Sequence, residues 1–213
     1  MENTPYLKQT ESGLVLASDE QELMCDFSDL KRRLKPNNLN SELCIKAARF
    51  KKMPERPTLV DATAGLGHDA FLLAAYGFNV TLFERDEIIH ELLSDGIKRA
   101  LLDPELSEAA SRMTLYKGDS IVELKQLDFT PDVVLLDPMF PERKKSGLVK
   151  KKFQMLHMLE KPCEDEEELM AAAQASNATK IIVKRPVTAE FLANKKPSYQ
   201  VQDKIIRYDV ILR

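Results

Sequence analysis

The chain of 213 residues has few cysteines, few histidines and no long apolar run. Cys25, Cys44 and Cys163 are isolated and odd in number, so they predict neither a disulfide framework nor a Cys-x-x-Cys metal site. The three histidines are scattered, and we expect no metal. No apolar run approaches the length of a membrane span, and the N-terminus has no basic segment followed by an apolar one, the pattern of a signal peptide. These absences favour a cytoplasmic protein.

The composition is that of an ordinary globular protein, with 44% hydrophobic and 31% charged residues. A chain of this length suits one domain plus an extension, and it can form a single large core. Regular alternation of strand and helix patterns starts near residue 58. We therefore predict an N-terminal extension over residues 1–57, with one helix at Ser41–Lys51, and a second unit over residues 58–213.

Apolar residues alternate along Asn79–Glu84 as in a strand, and they recur at helical spacing along Glu87–Leu102. Repeated units of this kind predict a doubly wound, mostly parallel α/β sheet. Too little chain separates Tyr199–Lys204 from Arg207–Leu212 for a parallel crossover, so we expect an antiparallel C-terminal hairpin. That architecture is typical of class I methyltransferases, whose fold is Rossmann-like. The other predicted strands are Thr58–Ala64, Met113–Tyr116, Asp132–Leu136 and Lys180–Lys184, and the other predicted helices are Asp69–Tyr76, Ser120–Leu127, Phe153–Glu160, Glu164–Ala175 and Thr188–Asn194.

A Gly-x-Gly turn at Gly65 and Gly67 joins the first of these strands to a helix. Glycine lets the backbone turn tightly against a ligand, and the helix N-terminus offers unpaired N–H groups. Glu84 ends the next strand, where an acid can accept both hydroxyls of a ribose. Asp119 and Ser120 follow the third strand, either beside an adenine or as a helix N-cap. These residues predict a nucleoside-bearing cofactor, although the turn alone also fits NAD or an ordinary strand-to-helix connection.

The motif Asp137-Pro138-Met139-Phe140 follows another apolar strand. An exocyclic amine of a base is a poor nucleophile, and it improves when acceptors hold its hydrogens. An ionised Asp137 only accepts, and the Pro138 carbonyl is a second acceptor at a restricted angle. Phe140 is suited to stack on the base. With the Gly-x-Gly turn, this motif predicts methyl transfer from S-adenosylmethionine (SAM) to an exocyclic amine, whereas a simple turn would not explain the aromatic residue.

Charge is unevenly distributed along the chain. Residues 1–30 carry seven acids and one base, whereas residues 31–56 carry nine bases and two acids. A second basic cluster spans residues 143–152, directly after the Asp-Pro motif. Such runs are most often solvated surface, but this placement favours contacts with nucleic-acid phosphates. The residues predicted to contact RNA are Arg32, Arg33, Lys144, Lys145, Lys150, Lys151, Lys184 and Arg185.

Five segments of the chain resemble the RsmJ (YhiQ) family of bacterial 16S rRNA guanine-N2 methyltransferases. The resemblance implies a SAM cofactor, the 16S rRNA or the small ribosomal subunit as partner, and a target guanosine near the rRNA 3′ end. The chain departs from the family at His68, where an arginine is usual. The matching segments are residues 61–71, 83–85, 137–141, 145–151 and 183–186. The implied cofactor-binding residues are Asp61, Gly65, Gly67, His68, Asp69, Glu84, Arg85, Asp119, Ser120 and Asp137, and the implied catalytic residues are Asp137, Pro138 and Phe140.

Three other hypotheses compete with this one. The first is a SAM-dependent enzyme acting on another RNA base or amine. The second is an NAD(P)-dependent oxidoreductase on a similar sheet, against which the Asp-Pro motif and the C-terminal hairpin stand. The third is a non-catalytic RNA-binding module, against which the intact Asp137, Glu84 and glycine pair stand.

Overall fold

The computed structural model describes residues 5–18, 21–138 and 165–213. The predicted helix Phe153–Glu160 lies outside these residues, as do five predicted site residues. These five are Phe140, Lys144, Lys145, Lys150 and Lys151.

A seven-stranded sheet forms the centre of the protein, in the order β6-β5-β4-β7-β8-β10-β9. Its first five strands in that order pair in parallel, and β10 pairs antiparallel with both β8 and β9. The predicted mostly parallel sheet with an antiparallel C-terminal hairpin is therefore confirmed. The strands are β4 (Thr58–Asp61), β5 (Asn79–Glu84), β6 (Met113–Lys117), β7 (Val133–Leu136), β8 (Lys180–Pro186), β9 (Tyr199–Gln202) and β10 (Ile206–Leu212).

The described helices follow the strands as expected for β-α-β units. The longest, α4 (Glu87–Leu102), begins after Asp86, whose carboxylate accepts hydrogen bonds from the N–H groups of Ile88 and Ile89. The helix α3 ends at Gly77, which has a φ of 118° and so takes the left-handed conformation that glycine tolerates. The helices are α1 (Pro36–Leu39), α2 (Leu43–Ala48), α3 (His68–Tyr76), α4 (Glu87–Leu102), α5 (Ser107–Ala110), α6 (Ser120–Glu123) and α7 (Glu166–Ala175), with short 3-10 turns at Ser28–Leu30 and Leu192–Asn194.

The N-terminal segment contains more regular structure than its sequence predicts. A small antiparallel sheet consists of β1 (Tyr6–Thr10), β2 (Gly13–Ala17) and β3 (Glu22–Leu23), none of which was expected. The strands were missed because β1 is mostly exposed and β3 has only two residues. The predicted helix at Thr188–Asn194 is also wrong, because only its last three residues form a 3-10 turn.

Two hydrophobic clusters cover the two faces of the large sheet. The smaller cluster lies under α6 and α7, and the larger one lies under α3 and α4 and includes the N-terminal segment. Phe27 of that segment stacks on Phe71 of α3, with the ring centroids 4.3 Å apart. The N-terminal segment thus buries apolar surface on the same side of the sheet as α3.

Lys180, the first residue of β8, connects the N-terminal segment to the sheet. Its side chain is buried, and its Nζ donates to the carbonyls of Ala47, Ala48 and Arg49 at 3.0, 3.3 and 2.8 Å. These carbonyls end α2, where the partial negative charge of a helix favours a cation. Burial lowers the pKa of Lys180 to about 8.

We expect Lys180→Met to lower the free energy of unfolding by about 1–3 kcal/mol, because it leaves buried carbonyls without a donor. Urea denaturation followed by circular dichroism measures this change. Lys195→Met, at an exposed lysine, is the matched control. Equal stability of both variants would contradict a stabilising role for Lys180.

Candidate active site

An open cleft of about 1130 Å³ lies at the carboxyl ends of β4, β7 and β8. Ligands of open α/β sheets bind at this edge, where the strand order reverses. The segment from Leu23 to Lys46 supplies one wall, and the turn between β9 and β10 supplies another. The cleft brings together eight of the predicted site residues, namely Arg33, Asp61, Gly65, Gly67, His68, Asp69, Asp137 and Lys184.

The Gly-x-Gly turn needs both of its glycines for conformational reasons. Gly65 and Gly67 have φ values of 53° and 70°, in the left-handed region that residues with a side chain rarely adopt. A Cβ at Gly67 would also lie 2.8 Å from Leu93 Cδ1. Because neither position carries a side chain, the backbone at the N-terminus of α3 is accessible from the cleft.

Glu84 is held directly against this turn. Its Oε2 accepts from Gly65 N–H at 2.9 Å, and its Oε1 accepts from Asp86 N–H at 2.8 Å. Burial raises the pKa of Glu84, and the backbone donors partly offset that rise. Each carboxylate oxygen still has a lone pair for a ligand hydroxyl. The structure thus ties Glu84 to the Gly-x-Gly turn, and its role as a ribose acceptor stays a prediction.

Four predicted cofactor residues lie at the ends of β5 and β6, outside the lining of the cleft. They are Glu84, Arg85, Asp119 and Ser120. Asp119 Oδ1 accepts from Ile121 N–H at 2.9 Å, so Asp119 is an N-cap of α6, the alternative that its sequence position left open. Arg85 pairs at 3.7 Å with Asp165.

A network of charged side chains crosses the floor of the cleft. Lys184 Nζ lies 2.8 Å from Asp137 Oδ2 and 2.9 Å from Asp69 Oδ2. The Tyr208 hydroxyl donates to the same Asp69 oxygen at 2.7 Å. Lys184, which the sequence places among the RNA-contacting residues, thus points into the cleft. Tyr208 was not predicted as a site residue, because a tyrosine in a strand carries no signal of its own.

Strand alternation explains why these groups meet. Leu135 and Ile182 belong to the larger cluster, so Asp137 and Lys184, two residues further along, face the same side of the sheet. Tyr208 is the cross-strand partner of Lys184 and also belongs to that cluster. This side of the sheet is the one that α3, with Asp69 in its first turn, covers.

The backbone of Asp137 is tied to the Gly-x-Gly segment. Asp137 N–H donates to Thr63 Oγ1 at 2.6 Å, and Thr63 N–H donates to Asp61 Oδ1 at 3.1 Å. Thr63 was not predicted as a site residue, although it lies within the quoted motif. Through these two hydrogen bonds, Thr63 fixes the position of the Asp-Pro motif relative to the Gly-x-Gly segment.

Burial determines much of the ionisation in the cleft. It raises the pKa of Asp61 to about 7, and it raises the pKa of Asp137 against the opposing effect of Lys184. Burial also acts to raise the pKa of Asp69, but Lys184 and Tyr208 outweigh it, so that pKa is lowered. The two aspartates raise the pKa of Lys184 despite its burial. Three carboxylates facing one lysine make the floor of the cleft acidic.

His68 begins α3 and lies edge-on to Phe27, with 6.2 Å between the ring centroids. Burial lowers the pKa of His68, which favours the neutral imidazole. The side chain therefore adds no positive charge to this end of the cleft near pH 7.

Three other predicted RNA-contacting residues have distinct positions. Arg32 is exposed, and Arg33 lines the cleft and is paired through two nitrogens with Glu42 at 2.8 and 2.7 Å. Arg185 is only 2% exposed and is bonded to Glu166 at 3.1 Å. The structure thus places Arg185 in the interior, away from the surface on which phosphate contacts were expected.

Over the described residues, no group of three or more His, Cys, Asp or Glu side chains is arranged to hold a metal ion. Within the same ranges, every helix is too short or too polar to cross a membrane.

The acidic floor distinguishes between the two cofactors that the glycine turn could bind. A dinucleotide would bring a pyrophosphate to the N-terminus of α3, beside the carboxylates of Asp61 and Asp69. A SAM molecule brings a sulfonium cation, which carboxylates attract. The turn, the ribose acceptor Glu84 and the charge of the cleft all suit SAM.

Comparisons with known proteins agree with this geometry. The model of a family described as "Putative SAM-dependent methyltransferase" matches residues 1–213. Ribosomal RNA small subunit methyltransferase J from Neisseria meningitidis is 41% identical over 203 residues, which cover 94% of this chain and 80% of that protein. The protein of the same name from Thioalkalivibrio sulfidiphilus is 45% identical over 175 residues, which cover 81% of this chain and 68% of that protein.

The crystal structure of the SAM-dependent methyltransferase NGO1261 from Neisseria gonorrhoeae superposes with a TM-score of 0.80 and 34% identity. The match covers 100% of this chain and 84% of that one. The predicted class I methyltransferase fold is thereby confirmed. Because the family model spans residues 1–213 and the relatives match most of its length, this chain belongs to the SAM-dependent methyltransferase family that includes ribosomal RNA small subunit methyltransferase J.

Proposed function

We propose that this protein methylates the exocyclic N2 amine of a guanosine near the 3′ end of 16S rRNA. The observation that carries the proposal is the position of Asp137, a carboxylate at the end of β7, beside the Gly-x-Gly turn in an acidic cleft. The name shared by the two curated relatives supports rRNA of the small subunit as the substrate.

The residues around the turn bind the cofactor in this proposal. The open backbone at Gly65 and Gly67 admits the ligand, and Glu84 accepts from the ribose hydroxyls. Asp69, whose pKa is lowered, supplies negative charge near the sulfonium. When bound, SAM supplies a methyl group on a positively charged sulfur, which ends as a neutral thioether.

Asp137 prepares the amine for the reaction. The guanine amine is planar because its lone pair is delocalised into the ring, and it becomes tetrahedral as the new N–C bond forms. Asp137 and the Pro138 carbonyl accept its hydrogens during that change, and Asp137 takes the proton that the nitrogen loses and passes it to water. Such prearranged acceptors stabilise charge that develops in the transition state.

The RNA must present the guanine out of its stack, because the acceptor lies on the floor of a cleft. We propose that Phe140 stacks on the extruded base and that phosphates contact Arg32, Arg33 and the lysines that follow the Asp-Pro motif. This last role rests on the sequence position of those lysines. Methylation of another RNA base remains the second candidate, because a carboxylate acceptor suits any exocyclic amine.

Glu84→Ala should weaken SAM binding measured by calorimetry, because the ribose hydroxyls lose their acceptor at a cost of about 1–3 kcal/mol. Glu55→Ala, at an exposed acid, should bind SAM as the wild type does. NAD should bind far more weakly than SAM to the wild type. Tight NAD binding without SAM binding would exclude the proposed cofactor site.

Asp137→Asn keeps the shape of the side chain and removes its charge, so turnover should fall by roughly 10²-fold or more while SAM still binds. Mass spectrometry of nucleosides from 16S rRNA measures the product, expected to be N2-methylguanosine. Asp128→Ala, at an exposed acid, is the control. Wild-type turnover in Asp137→Asn would refute the acceptor role, and a different methylated nucleoside would favour the second candidate.

Neutralising Lys144, Lys145, Lys150 and Lys151 together should flatten the dependence of log RNA affinity on log salt by about 3, since each phosphate contact with single strands contributes about 0.7. SAM affinity should stay unchanged. Substituting the exposed Lys98, Lys125, Lys195 and Lys196 instead is the matched control. If both quadruple variants keep the wild-type slope, the cluster is solvated surface.

A further inference from the structure

Lys184 connects the acceptor Asp137 to Asp69 and, through Asp69, to Tyr208, a residue that the proposed function leaves without a role. Its Nζ bridges Asp137 Oδ2 and Asp69 Oδ2, and Tyr208 donates to that same Asp69 oxygen. The four side chains come from the end of β7, β8, α3 and β10, so four separate elements form one hydrogen-bonded chain.

We propose that Lys184, held in place by Asp69 and Tyr208, is a positioning residue that aims the Asp137 carboxylate and keeps it ionised for the methyl transfer. This inference rests on the proposed function, because it needs Asp137 to be the acceptor. It assigns Lys184 to the reaction instead of to RNA phosphates.

The geometry supports the aiming role. Thr63 Oγ1 accepts from the Asp137 N–H, which holds the backbone, while Lys184 holds Oδ2. Among the described residues, the donor to the Asp137 carboxylate is Lys184, which bonds to Oδ2. The other oxygen, Oδ1, is left to accept from the amine. A carboxylate held at both its backbone and one oxygen loses little freedom when the substrate binds.

The ionisation role follows from the surroundings of Asp137. Burial and the neighbouring Asp69 both raise the pKa of Asp137, and a protonated carboxyl would accept hydrogens poorly. Lys184 is the largest of the influences that oppose them. The charged and titratable groups that act on this network are Asp61 from β4, His68 and Asp69 from α3, Tyr208 from β10, Arg33 and Cys44 from the N-terminal segment and, from the opposite face of β8, Arg185.

The same contacts oppose a phosphate-binding role for Lys184. Its side chain is 27% exposed, and both ion pairs are shorter than 3 Å. Turning the ammonium outward would leave the neighbouring carboxylates of Asp69 and Asp137 without the cation that lies between them, which is unfavourable. The positions of the two aspartates therefore keep this lysine inside the cleft.

The pH dependence of single-turnover methylation tests the inference. Activity requires ionised Asp137, so it falls as the pH drops through the pKa of that group. Lys184→Met removes the nearest positive charge, and the acid limb should move up by about 1–3 pH units. Lys184→Arg should restore most of the wild-type profile, because it keeps the positive charge beside Asp137.

RNA binding provides the readout that separates the two roles of Lys184. In Lys184→Met, the KM for RNA and its salt dependence should stay at wild-type values while kcat falls at neutral pH. Lys125→Met, at an exposed lysine, should change neither kcat nor KM. A flattened salt slope with an unchanged acid limb would overturn the inference and assign Lys184 to phosphates.

Two further outcomes separate this inference from the proposed function. If Asp137→Asn is inactive but Lys184→Met keeps the wild-type rate and acid limb, the inference alone fails. If Asp137→Asn keeps wild-type turnover, the proposed function fails. Circular dichroism verifies folding. Should Lys184→Met not fold, Lys184→Gln takes its place, and an unshifted acid limb in that variant overturns the inference.

Discussion

The ion pairs of Lys184 with Asp69 and Asp137 are the interaction on which the arrangement of the site depends. Placing three carboxyl groups side by side on one floor is unfavourable unless a cation lies among them. Lys184 supplies that cation from β8, one strand away from Asp137, and Tyr208 from β10 holds Asp69 in place. The cleft can therefore be acidic enough to attract a sulfonium without its aspartates repelling one another apart.

The N-terminal segment forms part of this site. It supplies one wall of the cleft, its Phe27 packs on α3, and its helix α2 is bonded to Lys180 at the start of β8. The same strand β8 thus carries one lysine that anchors the wall and another that organises the floor. These contacts couple the N-terminal wall of the cleft to the large sheet.

Much of the fold could be predicted because parallel β-α-β units leave strong local patterns. The strand Asn79–Glu84 and the helix Glu87–Leu102 are confirmed to the residue. The short strands of the N-terminal sheet could not be predicted, because they are stabilised by pairing and by packing on α4 more than by their own pattern. The 3-10 turn at Leu192–Asn194 is another case in which tertiary contacts overrode local propensity.

The sequence by itself determined the Gly-x-Gly turn, the spacing of Glu84 from it, and the carboxylate at the end of β7, because each depends on residues close together in the chain. Only the tertiary structure decided the role of Lys184 and Arg185. These neighbours point to opposite faces of β8, one into the acidic cleft and the other toward Glu166. Their charge is the same, and they differ because other parts of the chain supply their partners: Asp69 and Asp137 for Lys184 in the cleft, and Glu166 for the buried Arg185.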